Sequence, residues 1–234
     1  MPKLPVLMYH NVCDAKEKVN SLCIHKDFLE LQFKYLVAKG YKSLHLSELK
    51  GMKKLQGRSV VITFDDVTTN QKEFVLPLLK KYNLKANFFI PFAYIGLSDQ
   101  WNDGAEPIMT VDDLKSLGEL VELGHHSYLH RPYASLTKEE IDEDFKKSYD
   151  LLNEKGLNVF ESLAFPYGNF PRKEPRKSEF FQDLKNNGMH YGLRIGNRLN
   201  SFPFKNPYLI ERIEVKGDKS MLKFRVNLKF GKLV

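Results

Sequence analysis

A 234-residue chain with 42% hydrophobic residues is long enough for one large core, and α/β barrels of this size are single units. The net charge of +7 sits in scattered clusters (Lys53 and Lys54, Lys80 and Lys81, Lys146 and Lys147, Arg172 to Lys177) with no basic-aromatic stripe, which argues against a nucleic-acid partner. It leaves peripheral attraction to an anionic glycan or a membrane face. No apolar run approaches the roughly 18 residues of a membrane span, and "MPKLPVLMYH" is too short and too weakly charged for a secretory signal. The expected location is cytoplasmic, or extracytoplasmic if a leader has been removed. Cys13 and Cys23 show no CxxC spacing and read as two free thiols.

The predicted elements alternate in type along the chain. "PVLMY" (5–9) reads as a buried strand, followed by a helix over "KDFLELQFKYLVAKG" with Phe28, Leu31, Tyr35 and Leu36 at helical spacing. "YKSLHL" and a short lysine-rich helix from Ser47 come next. "SVVITF" (59–64) is β-branched, a helix is expected from Asn70 to Tyr82, and "KANFFI" (85–90) is another strand. "TVDDLKSLGELVELG" reads as one helix, with a capping box at Thr110 and Asp113 and Gly124 at its end. A second box, Thr137 and Glu140, opens a long helix that stops at Gly156. "ESLAF", a helix over 178–187, "HYGLRI", "YLIERIEV" and an amphipathic segment from Ser220 complete the series. This order implies a parallel sheet, open or closed, in a single domain over 1–234. Residues 91–109 and 166–177 are the irregular stretches, where sites concentrate.

Four segments place polar residues directly after a strand or a glycine turn: "VLMYH", "VVITFDD", "GHHSYLH" and "ESLAFPYG". In a β/α barrel the carboxyl ends of the strands open on one face, so residues 10, 65–66, 126–130 and 165–168 can converge. Adjacent carboxylates at the end of an apolar strand are costly unless a cation satisfies them. Strand alternation sends Asp65 and Asp66 to opposite faces, so one is expected to bind metal and the other not. His126 and His130, in H-x-x-x-H spacing, meet one ion if the segment turns like a helix, with Gly124 permitting a tight approach. Two imidazoles and one carboxylate leave open positions for water and substrate, as in a catalytic metal site. His125 lacks the i+4 partner and is expected to point away. His25, His45 and His190 read as surface or strand-end residues. "FPYG" is a tight turn that offers the Tyr167 backbone N–H to an oxyanion.

Together, "TFDD", "EFVLPLLKKYNLKANFFI", "GHHSYLH" and "AFPYG", in that order over about residues 5–215, resemble the polysaccharide deacetylases of the fourth carbohydrate-esterase family. The resemblance implies a distorted (β/α)7-type barrel. It implies Asp65 as catalytic base, Asp66, His126 and His130 as metal ligands, and Tyr167 as oxyanion donor, with Phe165 and Pro166 beside it. Three features depart from the family pattern. Val67 stands where glycine usually follows the aspartate pair, Ala164-Phe165 where an arginine usually precedes PYG, and the C-terminal Leu-x-His motif is missing. The poly-N-acetylglucosamine branch is circularly permuted, with its histidine strand first, and "VLMYH" resembles that strand; His10 then becomes the catalytic acid. "LIERIEV" also resembles this branch and nominates Arg212 as the replacement arginine.

The implied activity is metal-dependent hydrolysis of an N-acetyl group on a sugar in a glycan or glycan precursor, as in surface-glycan biosynthesis. The implied cofactor is one divalent ion, zinc first, with cobalt, nickel or iron as alternatives. Trp101, Phe165 and Tyr133 are candidates for stacking on sugar faces or for packing. The competing readings are a non-catalytic glycan-binding protein of the same fold, and a different amide hydrolase, such as a deformylase, on a non-polymeric substrate.

Overall fold

Seven strands follow from β-branched and aromatic runs, and their side-chain parity decides which residues meet inside. The computed structural model describes residues 2–232; Met1, Leu233 and Val234, the ends of the expected 1–234 domain, lie outside the described residues. The barrel strands are β1 (Val6–Tyr9), β2 (Ser59–Asp65), β3 (Ala86–Ile90), β4 (Val121–His125), β5 (Ser162–Ala164), β6 (Tyr191–Ile195) and β7 (Ile210–Glu214). All pair in parallel, in the order β1-β7-β6-β5-β4-β3-β2, and β1 pairs with β2 to close the barrel. The first strand thus lies between the last and the second. The barrel is distorted: β4 and β5 share one register pair, His125 opposite Leu163.

Alternate residues of each strand face opposite layers. Leu7, Tyr9, Ile62, Phe64, Phe88 and Ile213 pack outward beneath α1 (Lys26–Ala38) and α7 (Met221–Phe230). Val6, Val61, Phe89, Ala164, Leu193 and Ile210 form the interior cluster. A third cluster joins α5 (Lys138–Lys155) and α6 (Arg176–Asn186) to the barrel through Leu163 and Phe165. The parity that points Val6 and Val61 inward also points His10 and Asp65 inward.

Three expectations need correction. α1 buries Leu29, Gln32, Phe33 and Leu36, while Leu31 is exposed, so its core face is rotated from the expected one. The segment "YKSLHL" gives a two-residue strand, Lys42–Ser43, and a four-residue helix α2 (Leu46–Leu49) that contains no lysine. "TVDDLKSLGELVELG" is not one helix. Its capping box starts α4 (Val111–Lys115), Gly118 turns the chain at φ +78, and Val121–His125 is barrel strand β4. Gly124 is therefore no helix cap. A Cβ there would lie 2.6 Å from the Phe89 ring, so glycine is required by the close approach of β3 to β4.

The expected 70–82 helix divides into a π-helical turn, Gln71–Val75, and α3 (Leu76–Tyr82). The second capping box holds as expected, with reciprocal Thr137–Glu140 bonds at the start of α5. Among the described residues no helix is long and apolar enough to cross a membrane.

Candidate metal and catalytic centre

The carboxyl ends of the strands open on a cavity of about 190 Å³ whose walls include His10, Asp65, Asp66, His126, His130 and Tyr167. Residues spread over nearly 160 positions of sequence converge there because each follows a barrel strand. Arg212 and Glu214, from β7, also line it.

Asp65 ends β2 facing inward. Arg212, fully buried, reaches it with two bonds: Nη1 is 2.5 Å from Oδ1 and Nη2 is 2.9 Å from Oδ2. Burial alone would raise the Asp65 pKa, but the Arg212 charge and its hydrogen bonds hold it well below the usual carboxylate range. It therefore stays an anion. The Nε2 of His10 lies 3.8 Å from Asp65 Oδ2. Burial lowers the pKa of His10 despite the pull of Asp65, which makes its imidazolium the stronger acid.

Strand alternation would send Asp66 away from the cavity, yet it faces inward. The backbone turns through positive φ at Asp66 (+76) and Val67 (+45), which swings the second carboxylate back beside the first. Val67 takes the left-handed conformation that glycine would adopt freely, and its buried side chain in the outer core holds it there. The aspartates thus have different surroundings, as expected, but share one cavity.

His126 continues the inward parity of β4. Its Nδ1–H donates to the Ala164 carbonyl at 2.7 Å, which leaves the Nε2 lone pair directed at the cavity. His130 arrives by a loop with positive φ at Ser127 and His130, not by the helical turn that the spacing implied. Asp66 Oδ1 lies 3.5 Å from His126 Nε2 and 3.4 Å from His130 Nε2. These three groups are the described set that can hold a metal, with donor atoms all within 4.8 Å of one another.

The donor set fits a divalent cation. Burial holds His126 down to about 4 and His130 to about 2, so both imidazoles are neutral and present lone pairs. Asp66 Oδ1 is buried with no hydrogen-bond partner. Burial and the neighbouring Asp65 charge push the Asp66 pKa well up, so a cation held between these donors is what would keep the carboxylate ionised. The two Asp66 separations also match the roughly 3.4 Å edge between ligands about 2.1 Å from a tetrahedral ion.

Several sequence expectations change here. Phe165 is fully buried against Tyr133, Phe170 and Phe180 and cannot stack on a ligand; Pro166 is buried beside it and is not among the cavity walls. Their role is to build the turn, which closes through Gly168 N–H to the Phe165 carbonyl and Asn169 N–H to that of Pro166. Tyr167 sits at φ +58 on the cavity rim with its ring edge against His130. Tyr133 is buried and donates its hydroxyl to Asp144, a packing role. Trp101 stacks face to face on His130, ring centres 3.8 Å apart. His125 points outward between Phe92 and Tyr149, as expected.

Two cavity carboxylates, Asp99 and Glu214, were not read from the sequence. Asp99 is buried, accepts from Glu106 N–H and Asn102, and lines the cavity with Asn102; the only signal was the polar loop around it. Glu214 follows Arg212 by two residues, so the parity that nominates one nominates the other.

The class defined here is a closed parallel β/α barrel with an Asp-His-His donor set at its mouth, and comparison with known proteins names the family. A polysaccharide deacetylase family profile matches residues 52–192, and the chain belongs to that family. It is 28% identical over 182 residues to Bacillus subtilis YxkH, covering 76% of this chain and 61% of that protein, less than two thirds of its length. It is 25% identical over 232 residues to the Staphylococcus epidermidis poly-beta-1,6-N-acetyl-D-glucosamine N-deacetylase, covering 92% of this chain and 76% of the relative. The fold matches the Streptococcus pyogenes deacetylase PplD with a TM-score of 0.80 at 19% identity, over 97% and 99% of the two chains.

Proposed function

We propose that the protein is a metal-dependent N-deacetylase acting on an N-acetylated amino sugar within a glycan or glycan precursor. The observation that carries the reading is the pairing, in one cavity, of an arginine-held carboxylate beside His10 with the Asp66, His126 and His130 donor set. The poly-N-acetylglucosamine deacetylase among the relatives supports this substrate class.

In this reading Asp66, His126 and His130 hold one divalent ion; zinc suits two neutral imidazoles and a carboxylate, and cobalt, nickel or iron share that preference. Such an ion supplies Lewis acidity at the acetyl carbonyl and acidifies water. Asp65, kept anionic by Arg212, accepts the proton of the attacking water. The Tyr167 backbone N–H, fixed by its positive-φ turn, donates to the developing oxyanion. His10 delivers a proton to the leaving nitrogen, giving acetate and a free amine. His10 comes from the first strand of the closed barrel, a position equivalent by closure to one after the last strand, which supports the permuted arrangement.

Peripheral contact with an anionic surface fits the groove between α1 and α7. Lys39, Arg58, Arg225 and Lys229 line it with Tyr35, Tyr41 and Phe230 and no carboxylate, and among the described residues none of the four cations is ion-paired. Retention on anionic vesicles, lost in an Arg225→Glu, Lys229→Glu double variant, would support it; equal retention on neutral vesicles would not.

The experiment for the main reading is acetate release from β-1,6-linked N-acetylglucosamine oligomers and from their N-formylated counterparts. The reading expects acetate release. Formate release alone would favour the deformylase alternative, and bound metal with neither product would favour a binding protein.

A further inference from the structure

We infer that Gln71 is a positioning residue that fixes the separation of His10 and Asp65, an inference that rests on the acid and base roles proposed above. Its side chain is fully buried, and Nε2 donates to two carbonyls at once: that of His10 at 3.1 Å and that of Asp65 at 2.6 Å. Those are the backbone oxygens of the two groups whose side chains lie 3.8 Å apart across the cavity. The amide therefore bridges the mouth ends of β1 and β2. Beyond their last register pair, Tyr9 opposite Phe64, the bridge continues the pairing past the end of the ladder.

The local backbone is built to put the amide there. Gln71 opens the π-helical turn, in which the Leu76 N–H returns to the Gln71 carbonyl, and its own N–H donates to Thr68. A π turn shifts one residue out of the regular helical position, and such turns recur at functional sites. Around it, Thr68 and Asn70 bond to Asn11, and Asn70 also accepts from Val12 N–H. The chain after Asp65-Asp66 and the chain after His10 are thereby sewn together by side chains.

The bridge carries a cost that stability alone does not explain. The other end of the amide, Gln71 Oε1, is buried with no hydrogen-bond partner. A group placed only for stability would have no reason to orphan that oxygen, whereas one placed for its two N–H bonds must present the amide as a whole.

The test is Gln71→Met, which keeps length and volume, removes both donated bonds and also removes the orphaned oxygen. Misplacement of a catalytic pair by about 1 Å costs on the order of 10²-fold in rate. The expected result is therefore a fall of roughly that size in kcat, with KM, bound metal and melting temperature little changed and with a crystal structure showing His10 and Asp65 farther apart. A side chain serving only packing would instead show a lowered melting temperature with kcat retained. Unchanged kcat, or an unchanged His10–Asp65 separation, overturns the inference. Should wild type or Asp65→Asn show the deacetylase reading to be wrong, the separation in Gln71→Met still decides whether the bridge exists. Gln71→Ala provides a second variant if methionine packs poorly.

Discussion

Arg212 and Asp65 form a buried two-point pair across the barrel interior, with Nη1–Oδ1 at 2.5 Å and Nη2–Oδ2 at 2.9 Å. The last strand of the barrel, β7, thus delivers the countercharge to β2, the strand that carries the proposed base. Removing one partner of a buried pair leaves an uncompensated charge, at about 3–5 kcal/mol. Arg212→Met is expected to lose stability in that range and to lose activity with it. Arg212→Met combined with Asp65→Asn should recover part of the stability but none of the activity. Denaturant unfolding of the four proteins in a double-mutant cycle checks this, and an additive cycle would contradict it.

The metal set makes a separate claim. His126→Ala, His130→Ala and Asp66→Asn should each weaken divalent-ion binding by more than the about 10–100-fold that loss of an outer-shell partner costs. His125→Phe, one residue from His126 but facing Phe92 and Tyr149, should keep the ion. Metal content of the purified proteins and calorimetric titration give the answer.

Val67 yields an unusual stability order. In an ordinary element glycine is worse than alanine by roughly 0.5–1 kcal/mol. At φ +45, alanine keeps the left-handed strain, on the order of 1–2 kcal/mol, while losing the buried methyls. Glycine loses the same methyls and the Cβ besides, but relieves the strain. Val67→Gly is therefore expected to be more stable than Val67→Ala, as measured by urea midpoint; the ordinary order would contradict this account of the turn.

Asp113 supplies a pH-dependent increment. It pairs with Lys72 at 2.6 Å and accepts from Thr110 in the capping box, and these bonds, Lys72 first, lower its pKa to about 2. Because the folded pKa is depressed, the added stability is fully present above the unfolded value near 4 and disappears as pH falls from about 4 to about 2. Both groups are partly solvated, so the increment at neutral pH is about 1 kcal/mol. The difference in melting temperature between wild type and Asp113→Asn should shrink across that window and be constant above it.

Much of this arrangement is visible in the sequence because barrel strands write their parity into it. Val6, Met8 and His10, then Val61, Thr63 and Asp65, then Ile210 and Arg212, each form a run in which inward residues end on a functional one. Both capping boxes also appear where local chemistry alone places them. Local chemistry fails where tertiary packing decides. "VELG" carries a weak helical pattern beside α4, but Gly124 must sit against Phe89, a requirement set by a residue some 35 positions earlier. The inward turn of Asp66 depends on positive φ at a valine, which no propensity favours. Gln71 is invisible because a π turn has no sequence signature, and Phe165 misleads because its aromatic type suits a ligand wall and a core equally.

The central claim is tested most directly by acetate release with chelator-stripped and metal-reloaded protein, comparing wild type, Asp65→Asn and His10→Ala on β-1,6-linked N-acetylglucosamine oligomers. The account predicts release by reloaded wild type only, with metal still bound by both variants. Equal release from stripped wild type, or undiminished release from metal-loaded Asp65→Asn, would contradict it.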